Sequence, residues 1–299
     1  MTLSSGGFRD GRETITPAAS CRPASFVQFG VGTPRKREAD GTPTWIARGA
    51  NFVVAASFVD RQAILDQHDI PDESMLLVPS SMSATIAAGA AGETVTEETL
   101  AILPPGAARV TLQGSGIVIR IFSSAARDMA GLAANAGAYA ETVQDTAPLA
   151  YWPGPTGGFR LRLYRLRDHS EDVGFGRIFR STNLMVNIFE PSQGPRDTAL
   201  LSPHAHQDFE QGSLTIKGDF SHYLRTPWGR DRSLWRADEH IDCSGCSLIV
   251  IPPQMIHTTS WSSMGARLVD IFAPPRHDFS AKPRWVRNAA DYPMEADAG

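Results

Sequence analysis

The chain has 299 residues, 42% hydrophobic and 20% charged, with a formal net charge of -4 and a pI near 6.1. That is enough apolar material for one large core or two ordinary ones, so wholesale disorder is excluded and two domains are expected. The acidic balance, without a long basic run, excludes a broad attraction to nucleic acid, and no segment has the roughly 18–20 apolar residues needed to cross a bilayer.

Residues 1–45 are rich in Gly, Pro, Ser and Arg with little periodicity. They predict an irregular arm, laid over the surface or reaching a partner subunit in a homodimer or higher homo-oligomer. The opening stretch lacks the apolar core of a secretory signal, so a cytoplasmic protein is expected. From Asn51 onward short β-prone runs separated by turn residues recur, NFVVAASFV, SMLLVPSS, SATIAAG, LAILPP, ARVTLQG and GIVIRIFSS, which predicts an all-β unit over 46–125. A Gly/Ala-rich stretch and TAPLAYWPGPTGG then read as a connection, 126–175. The strand pattern resumes in GRIFRSTNLMVNIFEP, GSLTIKGDFSHYLR, CSLIVIPP, IHTTSW and ARLVDIFAPP, predicting a second all-β unit with a tail over 176–299.

The two halves resemble each other. LAILPPGAARVTLQGSGIVIRIFSS and SLIVIPPQMIHTTSWSSMGARLVDIFAPP both run strand, Pro-Pro, spacer, strand, glycine turn, strand, and both end on an Ile-Phe pair, Ile121-Phe122 and Ile271-Phe272. Superposing Pro104-Pro105 on Pro252-Pro253 sets Arg109 against His257, as expected of a duplication in which one copy alone carries chemistry.

That chemistry concentrates in PHAHQDFEQGSLTIKG, residues 203–218. On a strand, residues two apart share a face, so His204 and His206 can project together, with Glu210 returning after a bend and His257 following the rigid Pro252-Pro253. Three imidazoles and a carboxylate suit one divalent transition metal, Fe, Mn, Ni or Zn among the choices, with positions open to substrate. His68, His169, His240 and His277 read as ordinary structural or surface histidines. Cys243 and Cys246 form a C-x-x-C in a turn leading into a strand, without a helix or a second pair, so they read as structural.

These segments resemble the two motifs of the cupin superfamily, G-x5-H-x-H-x3-4-E-x6-G and G-x5-P-x-G-x2-H-x3-N. His204, His206, Glu210, Pro252 and His257 fall in place; Thr198 stands at the opening glycine, Gly218 comes one residue late, and Cys246, Gln254 and Trp261 replace the remaining glycines and the asparagine. The resemblance implies two cupin-type double-stranded β-helix (jelly-roll) barrels in one chain, with the metal in the C-terminal barrel on His204, His206, Glu210 and His257. In the first half Gln67 and Asp69 precede Glu73 where the histidines would stand, so that barrel is expected to be degenerate.

Cupins include dioxygenases, isomerases, lyases and decarboxylases as well as binding proteins, so the resemblance leaves the reaction open. The reading is a metal-dependent enzyme on a small oxygenated organic acid or sugar acid; the alternative is a non-catalytic sugar- or effector-binding protein with a structural metal. Between the motifs, residues 221–240 hold Arg225, Arg230, Arg232 and Arg236 among Tyr223, Trp228 and Trp235. Arginine forks recognise carboxylates, so Arg225, Arg230 and Trp228 are candidate substrate contacts. Strand alternation sends either His222 or Tyr223 inward as an acid-base candidate.

Overall fold

A computed structural model describes residues 21–170 and 176–294; the first 20 residues of the expected arm and residues 171–175 of the expected connection lie outside it. The strands are β1 (Ser25–Gln28), β2 (Lys36–Arg37), β3 (Pro43–Arg48), β4 (Phe52–Val59), β5 (Gln62–Ile70), β6 (Ser74–Val78), β7 (Met82–Ala88), β8 (Ala91–Val95), β9 (Thr99–Leu103), β10 (Gly106–Gly114), β11 (Gly116–Ser123), β12 (Arg162–Arg165), β13 (Arg177–Arg180), β14 (Met185–Ile188), β15 (Gln211–Lys217), β16 (Asp219–Arg225), β17 (Glu239–Ser244), β18 (Ser247–Ile251), β19 (Ile256–Trp261) and β20 (Arg267–Phe272). No described helix is long and apolar enough to cross a membrane.

The strands form two jelly-roll barrels. The first pairs a sheet ordered β12-β9-β6-β11-β4-β3-β2 with one ordered β5-β10-β7-β8, and the second pairs β1-β18-β15-β20-β14-β13 with β17-β16-β19. Two strands cross the expected boundaries. β1, inside the expected arm, pairs antiparallel with β18 of the second barrel, and β12, inside the expected connection, pairs with β9 of the first. The described part of the arm is thus engaged with its own chain. Each crossing covers a sheet edge whose unpaired N–H and C=O groups would otherwise need water.

Period-2 alternation explains what each face buries. In β15, Gly212, Leu214 and Ile216 turn toward the first barrel, while Gln211, Ser213 and Thr215 turn into their own barrel. Leu214 joins Phe52, Val54, Ile121, Phe179, Val186, Leu248, Val250 and Ile271 in one core shared by the two large sheets. Gly212 permits this approach, since a Cβ there would meet the Phe52 ring at 2.8 Å. The first barrel's interior is a second core of aliphatic side chains, with Leu65, Leu76, Ile86, Val110, Leu112 and Val118 drawn from both its sheets. The second barrel's interior is polar over much of its length, with Asn187, Gln211, Ser213, Thr215, His222, Ser247, His257 and Asp270 all buried.

The duplication is visible in register. Arg120 pairs with Leu76 as Asp270 pairs with Ser213, so the Ile121-Phe122 and Ile271-Phe272 pairs occupy equivalent places in the two barrels. The Pro-Pro superposition is off by one: Arg109 lies on the outer face of β10, bound to Asp66 at 2.7 Å, and Ala108 is the buried neighbour.

Candidate metal centre

The centre is built where two strands meet by their backbones. His204 lies in the segment before the bend at 207–208 and forms an isolated antiparallel bridge with His257 at the start of β19; each N–H donates to the other's carbonyl, at 3.1 and 2.8 Å. That bridge fixes both imidazoles beside one another, their ring centroids 4.4 Å apart. His206, two residues along, stacks on Phe209 at 4.5 Å and lies 5.1 Å from the His257 ring. One ring nitrogen of each of His204, His206 and His257 lies within 4.8 Å of the others.

The hydrogen bonds orient these rings. His204 Nδ1 lies 2.9 Å from the Ser202 carbonyl and His257 Nδ1 lies 2.9 Å from the Met255 carbonyl. A carbonyl only accepts, so each Nδ1 carries a proton and donates it, the second-sphere arrangement that metal-binding histidines use. Burial, assisted by the nearby Arg276 charge, holds His206 down to about 3, and burial holds His257 down to about 4, so both are neutral at physiological pH.

A fourth donor comes from Gln211. Its Oε1 lies 2.8 Å from His206 Nε2 and 3.4 Å from His257 Nε2, while its Nε2 donates to Asp270 Oδ1 at 3.0 Å. Asp270 therefore sets which end of the amide faces the histidines. Burial pushes the Asp270 carboxyl up to about 7. Metal–nitrogen bonds of about 2.1 Å put neighbouring donors about 3 Å apart, so the spacing of the histidines and Gln211 fits one transition-metal ion.

The structure separates Glu210 from the histidines. Alternation at the start of β15 sends Gln211 inward and Glu210 outward, toward the first barrel. The Glu210 carboxylate is 2% exposed and accepts from Arg22 Nη2 at 2.6 Å, from the Ala50 backbone N–H at 2.6 Å and from the Tyr139 hydroxyl at 3.1 Å. A Cβ on Gly49 would meet Glu210 Oε2 at 2.7 Å, so the absence of a side chain there leaves room for the carboxylate. The signal for Gln211 was in the spacing: counting back from Gly218 with six intervening residues lands on Gln211, as does the longer form of the H-x-H-x4 motif.

No protein-family model matches the sequence, and no curated protein matches it. Among solved structures the chain is similar to AerE from Microcystis aeruginosa, at 7% identity over 86% of this chain and 100% of that one, with a TM-score of 0.51. It also matches oxalate decarboxylases from Bacillus subtilis, at 14% identity, 82% and 78% coverage and TM-score 0.48, and from Lactobacillus farciminis, at 13%, 76% and 78% coverage and TM-score 0.46. At such identities the likeness is one of fold. The chain has the fold of a bicupin, two cupin-type jelly-roll barrels in one chain.

In the second barrel β16 alternates with Phe220, His222 and Leu224 buried. His222 therefore faces the interior, its Nδ1 2.9 Å from Thr259 Oγ1, and burial holds it down to about 4. Tyr223 faces outward, stacked on His240 at 4.7 Å with its hydroxyl 3.2 Å from Ser260 Oγ. Arg225 also lies on the outer face, in a bidentate pair with Asp238 at 2.5–3.0 Å, both side chains more than half exposed. Trp228 and Arg230 are exposed, with Trp228 stacked face to face on Trp235 at 4.5 Å. Their loop leaves β16 at the end where Leu224 pairs with His257, the metal end of the barrel. A different arginine bears on the centre. Arg276 lies over Phe209, Phe272 and Phe279, and its charge acts on His206, His257 and Asp270. It follows Pro274-Pro275, beyond both motifs, and nothing in its local spacing marks it.

Proposed function

We propose that this bicupin is a metal-dependent enzyme acting on a small oxygenated organic acid, with one divalent transition metal held in the C-terminal barrel by His204, His206 and His257 and by the Gln211 amide oxygen. The observation that carries the reading is the convergence of three imidazoles and one oriented amide oxygen in a barrel whose interior is polar, beside a first barrel filled with aliphatic side chains. Such an ion supplies Lewis acidity to a substrate oxygen.

The residues account for the preference for an acid. The proposed ligand set contributes no negative charge, so a divalent ion there retains its full charge and favours an anionic, chelating oxygen donor. Arg276, half-buried and paired with Asp278 at 2.6 Å, adds positive potential at the same end. Gln211 keeps its oxygen inward because Asp270 holds the amide nitrogen. His222, neutral and turned toward the interior one layer below His257, is the acid-base candidate in place of Tyr223. Trp228 and Arg230 on the exposed loop remain candidates for covering the barrel mouth, whereas Arg225 is committed to Asp238.

The test is elemental analysis of the purified protein together with product formation from a panel of small hydroxy, keto and dicarboxylic acids. One equivalent of metal that falls sharply in His206→Ala, and turnover that falls with it, supports the reading. Metal without turnover on any acid leaves a binding bicupin. A metal content untouched by His206→Ala overturns the site.

A further inference from the structure

The first barrel also has an open mouth. A cavity of about 430 Å³ lies between the end of β5, β11 and the helical turn after it, lined among others by Lys36, Gln67, Arg120, Phe122, Met129 and Leu132. Arg120 and Gln67 sit on the inward positions of β11 and β5, above the aliphatic core, and are 1% and 4% exposed. Each has a donor with no partner. Arg120 Nη2 binds Glu38 and reaches Ser57 Oγ at 3.3 Å, but its Nε is unpaired. Gln67 Oε1 accepts from Ser74 Oγ at 3.0 Å, which turns its amide nitrogen away from Ser74 and leaves it unpaired. A buried donor without an acceptor is costly, and two on residues that line one cavity mark a place for an acceptor from outside the chain.

Charge narrows the choice. Glu38 faces two cations, Arg120 and Lys36, the latter at 2.7 Å, so the buried part of the mouth keeps one unbalanced positive charge. Asp66, at the edge, is taken by Arg109. Asp69, Arg127 and Asp128 stand exposed on the rim, where water screens them. Phe122 and Met129 are buried and Leu132 is partly exposed, giving the cavity an apolar wall. We infer that the mouth of the N-terminal barrel is a second, metal-free ligand site for a small aromatic or branched carboxylate, its oxygens accepting from Arg120 Nε and Gln67 Nε2 and its apolar body lying on Phe122, Met129 and Leu132.

Binding of 4-fluorobenzoate to the full-length protein, followed by fluorine NMR, tests this, with 4-fluorobenzyl alcohol as the uncharged counterpart. Gln67→Leu removes one donor; Leu132→Trp fills the mouth from its rim without touching the buried ion pairs, so it is the variant least exposed to misfolding. The acid binds at low millimolar concentration or below, the alcohol at least tenfold more weakly, and both variants weaken the acid at least tenfold. His206→Ala leaves it unchanged, because the site is independent of the metal centre. No binding to the unaltered protein, equal binding by both variants, or loss in His206→Ala, which would put the ligand in the other barrel, each overturns the inference.

Discussion

Glu73 and Glu210 occupy the same register position in the two barrels, one residue before a strand that pairs with β11 or β20, and each reaches across to the other barrel. Glu210 accepts from the Ala50 N–H in the β3–β4 turn, and Glu73 accepts from the Thr182 N–H in the β13–β14 turn, at 2.6 and 3.1 Å. Each also takes a tyrosine hydroxyl, Tyr139 for Glu210 and Tyr292 for Glu73. The carboxylate expected to bind metal is one half of a pseudo-symmetric clasp between the barrels.

Glu210→Ala and Gln211→Ala therefore fail in different ways. Removing the Glu210 carboxylate leaves the Ala50 N–H without its acceptor and Arg22 with Asp145 as its remaining carboxylate partner at 2.8 Å, and lowers stability by about 1–3 kcal/mol, while the remaining folded protein keeps its metal. Gln211→Ala lowers metal affinity with a smaller loss of stability. Denaturation midpoints and metal stoichiometry measured on both variants check this; metal lost from Glu210→Ala at temperatures where it is folded would contradict it.

Asp270→Asn leaves the side chain's size unchanged but lets Gln211 pair either way round. Metal affinity should drop about 10–100-fold, the usual scale for a group that orients a ligand. Titration with a competing chelator reads the change, and an unaltered affinity would remove Asp270 from that role.

Acid should destabilise the metal-stripped protein through its buried histidines, His206, His257 and His222, of which His222 can be changed without removing a proposed ligand. Its ordinary value is 6.5, and burial holds the folded one down to about 4. As pH falls through 6.5 the unfolded chain takes up a proton that the folded chain refuses until about 4, so stability falls across that window. Asp270, raised to about 7, opposes this, since the folded state protonates it first. His222→Gln should remove up to about 3 kcal/mol of the acid sensitivity between pH 6.5 and 4. Urea denaturation at several pH values decides it; parallel curves for the two proteins would exclude the histidine.

Arg225→Ala should leave metal content and ligand binding within twofold of the unaltered protein, because the side chain is exposed and committed to Asp238, and exposed pairs contribute little. A loss of more than tenfold in binding to an organic acid would return Arg225 to the site.

Removing residues 1–28 takes away β1 and Arg22 together. The edge of β18 is then open and Glu210 loses a partner, so the shortened protein should melt lower and associate through that edge. Light scattering and thermal melting check both effects; an unchanged melt would mean that β1 contributes little.

The sequence by itself determined the all-β class, the duplication and the histidine cluster, because these are local: strand runs, turn residues and the two-residue spacing of His204 and His206 fix faces without reference to distant chain. Tertiary structure decided the rest. Whether Glu210 or Gln211 turns inward depends on where β15 begins, which the bend after His206 and the hydrogen bonds of Glu210 to the sequence-distant Arg22 and Ala50 set. Which side of β16 faces the cavity depends on pairing with β19, so His222, and not Tyr223 or Arg225, came to the interior. The exchange of β1 and β12 between the barrels was illegible for the same reason: four-residue strands are placed by the edges they cover, and an edge exists only after the sheets have formed.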